Sequence, residues 1–326
     1  MTSSKLPICF IVLSLYSAYN FVVCSQLDSN HYAKTCPKLH SIVATGLKTA
    51  LKTDPRIAAS LLRLHYTDCF VNGCDASILL DDTKGFKGEK NAVQNRNSVR
   101  GYEVIDHIKS QVEKACPLTV SCADILTLAA KESVVTSGGP SWKVLLGRRD
   151  GLTASEKAAN EQLPAPSEPI VAIYNKFKAK GLNATDLLVL SASHSIGFAQ
   201  CASFRYRLIN YNGTGKADPN MNPKLRADLQ AACPNAAADN KLYPLDPPSP
   251  YKFDLSYYNN LLSNGGVLES DLYMMADRLL ASWVVNYSKD QKLFFKDYAE
   301  SMIRLENVGV ITAPKGQIRK NCRLVN

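Results

Sequence analysis

The chain has 326 residues, 46% hydrophobic and 21% charged, which is enough apolar material for a large core and excludes a disordered or low-complexity protein. Its formal charge is +9 and its pI about 9.0, but Lys and Arg are scattered and form no basic run. That pattern argues for weak attraction to anionic polymers and against nucleic-acid readout.

In chain order, Lys5 precedes an apolar run from Leu6 to Val23, and the small residues Cys24 and Ser25 follow. This is the layout of a secretory signal peptide, with cleavage expected before Gln26, so that residues 1–25 form a leader and 26–326 the working domain. Ser14, Ser17 and Asn20 interrupt the run, and no later stretch reaches the roughly 18 apolar residues of a membrane span. Helical periodicity is then predicted over Leu39–Leu51, Ile57–Asp68, Val104–Lys114, Ala123–Val135, Ile170–Lys180, Leu187–His194 and Lys292–Glu306. Strand signals are sparse. Pro and Gly punctuate the gaps at Gly138-Gly139-Pro140, Leu163–Pro166 and Asp246–Pro250, and no internal repeat is present. The expected fold is mainly α, with long irregular loops.

Of ten cysteines, Cys9 and Cys24 fall in the leader, and Cys36, Cys69, Cys74, Cys116, Cys122, Cys201, Cys233 and Cys322 remain. An even number behind a signal peptide reads as four disulfides made in an oxidising compartment. Thiolate metal sites are disfavoured by the lack of any CxxC. The sequons at Asn183, Asn212 and Asn286 fit glycosylation on the same route.

Two stretches carry candidate chemistry. In RLHYTDCFVNGCDAS, Arg63 and Thr67 are four apart and share one helix face. An Arg in that setting is either a functional cation or a solvated charge. The loop that follows, pinched by Cys69 and Cys74, gathers Asp68, Val71, Gly73, Asp75 and Ser77 within ten residues; hard oxygen donors with a bend-forming Gly suit calcium, or make a plain polar disulfide loop. In LLVLSASHSIGFAQC, His194 continues the stripe of Leu187 and Leu190, and Gly197 ends the helix. Such a His is either a core residue or a ligand. Downstream, Asp246, Ser249 and Asp254 form a second oxygen-rich loop, and Asp271 offers a carboxylate that could orient an imidazole from behind.

Seven motifs in order, RLHYTDCFVNGCDAS, GEKNAVQN, SCADILTLAA, GGPSWKVLLGRRDG, LPAP, LSASHSIGFAQC and QIRKNC, resemble the class III plant peroxidases, the secreted haem peroxidases of plants. The resemblance spans about Gln26 to Cys322. It implies a two-lobed, mostly helical fold with haem b between a distal and a proximal helix. His194 would be the axial iron ligand and Asp271 would accept its other ring proton. Asp68, Val71, Gly73, Asp75 and Ser77 would form a distal calcium site; Ser195, Asp246, Ser249, the Lys252 carbonyl and Asp254 would form a proximal one, with Ser195 where the family usually has Thr. Pro164 would line the haem edge where phenols dock, and Asp124 with Arg148 would be a structural ion pair. The implied disulfides are Cys36–Cys116, Cys69–Cys74, Cys122–Cys322 and Cys201–Cys233, a choice the cysteines alone leave open among roughly a hundred pairings. Hydrogen peroxide and small phenols would be the partners of a secreted monomer in the apoplast or wall, with weak binding to anionic wall polysaccharide.

One position departs from the family. Its distal stretch reads Arg, any, His, Phe, His, Asp, Cys, and the second His is the catalytic base; here that position is Thr67, preceded by Tyr66. One peroxide oxygen must lose a proton and the other gain one, which an imidazole titrating near neutrality can do and a hydroxyl cannot. Asn95 and Glu89, which hold the distal His in the family, are present. His65 lies two residues away and roughly 200° round the helix, so it is a poor substitute. The expectation is a haem protein with impaired peroxide activation. The alternative is a non-catalytic extracellular haem or phenolic-binding member.

Overall fold

The computed structural model describes residues 27–326; the leader and Gln26 lie outside the described residues. Thirteen α-helices carry the described fold: α1 Leu39–Leu51, α2 Ile57–Phe70, α3 Tyr102–Ala115, α4 Cys122–Thr136, α5 Glu156–Gln162, α6 Ile170–Ala179, α7 Ala184–Ser191, α8 Arg205–Ile209, α9 Pro223–Ala232, α10 Ser256–Leu262, α11 Glu269–Ala276, α12 Arg278–Tyr287 and α13 Gln291–Glu306. The described strands are β1 Phe198–Gln200 and β2 Leu242–Pro244, paired antiparallel.

Helix α2 is buried nearly all round, through Ile57, Ala58, Leu61, Leu62, Leu64, His65 and Thr67 to Phe70, because α1, α4 and α13 surround it. Such a helix shows little amphipathic contrast in sequence. Its main partner α4 starts at Ser121, whose hydroxyl accepts the Asp124 N–H, a standard N-cap. Helix α7 opens with a capping box between Asn183 and Asp186. The main core runs from Leu39 in α1 to Met302 and Leu305 in α13, and includes an aromatic nest of Phe253, Tyr258, Tyr287, Phe294 and Tyr298. A smaller cluster of Phe204, Leu208, Leu225, Leu229 and Val267 packs around Cys201 and Cys233.

All four implied disulfides are present: Cys36–Cys116, Cys69–Cys74, Cys122–Cys322 and Cys201–Cys233. The Cys122–Cys322 bond ties the start of α4 to the C-terminal segment across 200 residues of sequence. Beside it lies the fully buried pair Arg148–Asp124, at 2.9 Å. Asp124 also accepts from the Tyr32 hydroxyl at 2.8 Å and the Gly147 N–H at 2.7 Å, and Arg148 donates to the Glu306 carbonyl. Both carboxylate oxygens are engaged, so the pair acts as scaffold; removing one partner would strand the other charge at a cost of about 3–5 kcal/mol.

Candidate active site

Helix α2 places Arg63 and Thr67 one turn apart. The Arg63 side chain is exposed, and its Nη2 donates to the Gln94 carbonyl at 2.7 Å and to Ser98 Oγ at 2.9 Å. Thr67 is buried, and its hydroxyl turns back along the helix to donate to the Arg63 carbonyl at 2.8 Å. That proton is thus committed to the backbone, a common habit of Thr within helices. Tyr66 packs on Phe70 at 4.4 Å and faces Phe177 at 6.4 Å.

Asn95 approaches from the loop after Glu89. Its Nδ2 donates to the Glu89 backbone carbonyl at 2.9 Å, while its buried Oδ1 has no partner. The Glu89 carboxylate therefore does not hold Asn95; the main chain does. Both Glu89 carboxylate oxygens are also buried without partners, and burial pushes this group up to about 8. Orphaned buried acceptors are rare because each costs about 1–3 kcal/mol. His65 is no substitute base: it is buried against the Cys69 sulfur, and burial, with Arg148 adding to it, lowers its pKa to about 3.

On the opposite side, α7 tightens after Ser191 into a short 3₁₀ turn, Ala192–Ser195, so His194 sits on that turn rather than on the α-helix the periodicity predicts. Tightening at a helix C-terminus satisfies carbonyls that would otherwise be free. His194 is one-third exposed, and its Nδ1 lies 2.8 Å from Asp271 Oδ1. Asp271, at the start of α11, is buried and also accepts the Tyr257 hydroxyl at 3.1 Å. With Nδ1 fixed, Nε2 is left for a ligand, the usual arrangement of a metal-binding His. Tyr257 comes from α10, three residues past Asp254, and nothing in the sequence ties it to His194. Gly197 follows in a left-handed conformation, φ +103°, and a Cβ there would come within 2.9 Å of Ala59 in α2; the two sides of the site meet at this point. Pro164 is half-buried in the loop after α5.

The distal loop gathers its oxygen donors. Asp68 accepts the Ala76 N–H at 2.8 Å and the Ile78 N–H at 3.3 Å; Asp75 accepts the Ser77 N–H at 3.0 Å. Ser77 Oγ is buried without a partner. Burial and then the neighbouring Asp75 push Asp68 well above the carboxylate range, and burial raises Asp75 as well. Two buried carboxylates beside an orphaned hydroxyl fit a hard divalent cation. Gly73 is required, since at φ +108° a Cβ would lie 2.5 Å from the Gly309 carbonyl oxygen. The Val71 carbonyl is engaged by Lys180 Nζ at 2.8 Å, leaving it one lone pair.

In the second loop, Ser249 Oγ lies 3.1 Å from Asp246 and 3.2 Å from Asp254, bridging the two carboxylates. Asp246 also receives Ser256 and Asn260, and burial lifts it to about 6. Ser195 is buried, its hydroxyl donating to the Ala192 carbonyl at 2.7 Å and lying 3.4 Å from the Asp254 carbonyl. The Lys252 ammonium lies 3.5 Å from Asp254. The oxygens of Ser195, Asp246, Ser249 and Asp254 too suit a hard cation. Asn183, Asn212 and Asn286 are all exposed, with Asn183 capping α7 and Asn286 in the last turn of α12.

Comparison with known proteins agrees with this frame. The peroxidase family model matches residues 43–290. Peroxidase 10 of Arabidopsis thaliana is 54% identical over 301 residues, covering 91% of this chain and 86% of its own. Peroxidase N of Armoracia rusticana is 50% identical over 306 residues, 93% of this chain and 92% of its own. Peroxidase 4 of Vitis vinifera is 44% identical over the whole of both chains. With the family model matching most of the chain, relatives at 44–54% identity, a helical frame and four disulfides, the chain belongs to the plant peroxidase family.

Proposed function

We propose that this chain is a secreted haem peroxidase that oxidises phenolic donors by one electron at a time, with peroxide activation slowed by the loss of its distal base. The observation that carries the reading is the His194–Asp271 contact at 2.8 Å, which leaves Nε2 free, so that His194 would hold the iron of haem b. Bound there, haem would supply the redox chemistry of peroxide reduction. Asp271 holds the ring's orientation and makes the imidazole more electron-donating. Arg63 supplies a cation for the charge developing on the departing peroxide oxygen. Thr67 moves no proton, since its hydroxyl is bound to the Arg63 carbonyl. Asn95 Oδ1 can only accept, so it orients a proton donor and cannot replace one.

Asp68, Val71, Gly73, Asp75 and Ser77 would hold one calcium ion, and Ser195, Asp246, Ser249, the Lys252 carbonyl and Asp254 a second, bracing the ends of the two segments that would face haem. Pro164 would line the rim where a phenol docks. The leader, the disulfides and the exposed sequons support a secretory route to the apoplast. Among the described residues no helix is long and apolar enough to cross a membrane.

A non-catalytic haem-binding role is favoured by one observation, the pairing of the Thr67 back-bond with the orphaned Asn95 oxygen. Reconstitution with haem, followed by guaiacol oxidation with hydrogen peroxide, separates the readings. A Soret band with slow turnover supports the peroxidase. A Soret band with no turnover above free haem selects the binding role, and no Soret band overturns both.

A further inference from the structure

We propose that Glu269 and the three tyrosines that grip it, Tyr206, Tyr211 and Tyr273, are positioning residues for the haem site: they fix the start of α11 and so set how firmly Asp271 holds the His194 ring. The inference deepens the peroxidase reading above and rests on it. Glu269 is buried; its Oε2 accepts the Tyr206 hydroxyl at 2.5 Å, and its Oε1 accepts the Tyr211 and Tyr273 hydroxyls at 2.9 and 2.7 Å. The donors come from α8, from the turn after it and from α11 itself, so the contact joins separate pieces of chain as well as satisfying a buried charge. Burial, and then the carboxylate itself, pushes all three phenols up, Tyr211 to about 12, so each keeps its proton and donates.

Helix α11 needs such an anchor. It has eight residues, too few for stability on its own, and Leu268 at its N-cap position supplies no capping side chain. Its first turn is held from outside instead, position by position. The phenols bind Glu269, the Ser270 N–H donates to the Pro166 carbonyl at 3.0 Å, and Asp271 meets His194 Nδ1 at 2.8 Å and the Tyr257 hydroxyl at 3.1 Å. Just upstream, the buried Arg207, next to Tyr206 in α8, donates through Nη1 to the Gly266 and Val267 carbonyls at 2.9 and 2.6 Å. Its Nη2 is paired with Asp218 at 2.9 Å. Gly266 rests directly on the acid, since a Cβ there would lie 3.0 Å from Asp271 Cβ. Helix α8 therefore grips the chain on both sides of Leu268 and leaves the Asp271 carboxylate little freedom. A hydrogen bond weakens steeply as its angle worsens, so a small tilt of α11 alters the charge that Asp271 lends to the imidazole.

The test reads the iron–histidine bond of the reduced, haem-loaded full chain by resonance Raman spectroscopy, and the ferric–ferrous potential by titration of the Soret band. Asp271→Asn sets the scale: it removes the charge behind His194 and should shift the iron–histidine band to lower frequency and raise the potential. Glu269→Ala should move both readouts in the same directions by a smaller amount. Glu269→Gln, which keeps an oxygen for two of the phenols, should return them towards wild type. Tyr211 is half-buried, and Tyr211→Phe leaves the carboxylate two donors, so this variant should fold normally and give a smaller shift still. It decides the matter if Glu269→Ala does not fold. Band and potential at the wild-type values in Glu269→Ala and Tyr211→Phe, with Asp271→Asn shifted, would make the phenol clamp a purely structural contact and overturn the inference. If Asp271→Asn also leaves the band unmoved, or the loaded wild type shows no iron–histidine band, the proximal assignment of the peroxidase reading fails, and the inference fails with it.

Discussion

Replacing Thr67 with His should restore peroxide activation. In the wild type, Thr67 donates to the Arg63 carbonyl, and Asn95 Oδ1 lies buried and unpartnered. An imidazole at position 67 keeps the one-turn spacing to Arg63 and offers a ring N–H to that orphaned oxygen. Pairing it recovers about 1–3 kcal/mol of desolvation cost, which offsets part of the strain of a larger side chain. The fixed ring then exposes its other nitrogen as a proton shuttle. General acid–base assistance is typically worth about 10²–10⁴ in rate, or about 3–5 kcal/mol of barrier. The assay is stopped-flow mixing of haem-loaded protein with peroxide, following the Soret band at matched haem content. Thr67→Val removes the hydroxyl at similar volume and should leave the wild-type rate unchanged. Tyr66→Phe, added to Thr67→His, checks for crowding by the ring that packs on Phe70 at 4.4 Å. If Thr67→His binds haem normally yet reacts no faster than wild type, with or without Tyr66→Phe, a single missing base does not explain the defect.

Three other outcomes follow from the same geometry. His194→Ala should lose the Soret absorbance of coordinated haem, and an unchanged spectrum would remove His194 as the ligand. Metal analysis of protein prepared without chelator should find about two calcium ions per chain, and chelation should lower the thermal midpoint, because Asp68, Asp75, Asp246 and Asp254 are then left to repel one another; absence of both effects would dismiss the two cation sites. Glu306 is held up to about 7 by burial, against an ordinary value near 4.5. A carboxyl raised in the fold stays protonated there while the unfolded chain ionises, so stability falls as pH rises between those values, by about 3 kcal/mol in all. Urea unfolding at pH 5 and pH 8 should show that loss in wild type and a smaller one in Glu306→Gln, which keeps the acceptor for the Trp142 Nε1–H; equal losses would contradict the assignment.

Much of the frame was readable from periodicity. Helix α1 matches its predicted range, and α3, α4 and α13 differ by a residue or two, where capping and fraying decide the ends. The helices that periodicity missed, α5 and α8 to α12, are mostly short or carry their apolar residues on a narrow face, as Leu225 and Leu229 do in α9. Pro223 opens α9 behind an Asn222 cap, a signal that was present but unread. The disulfide pairing was not legible from spacing and came with the family resemblance. At the site, Arg63, Thr67, His194 and Asp271 were visible as residue types. The partners that give them meaning were not: Lys180 reaches the Val71 carbonyl from 109 residues away, and the Tyr257 hydroxyl on Asp271 and the Glu89 main chain on Asn95 depend on backbone paths that no spacing rule encodes.

The central claim, an intact proximal side facing a distal side without its base, is tested most directly by the pH dependence of the wild-type reaction with peroxide. Stopped-flow rates would be collected from pH 5 to pH 9. Without a shuttle, only peroxide that is already deprotonated reacts well, so the rate should be slow and climb with pH by about tenfold per unit, with no inflection near the imidazole range. A fast rate, level above an inflection near neutrality and matching that of Thr67→His, would mean that a working base is present and would contradict the account.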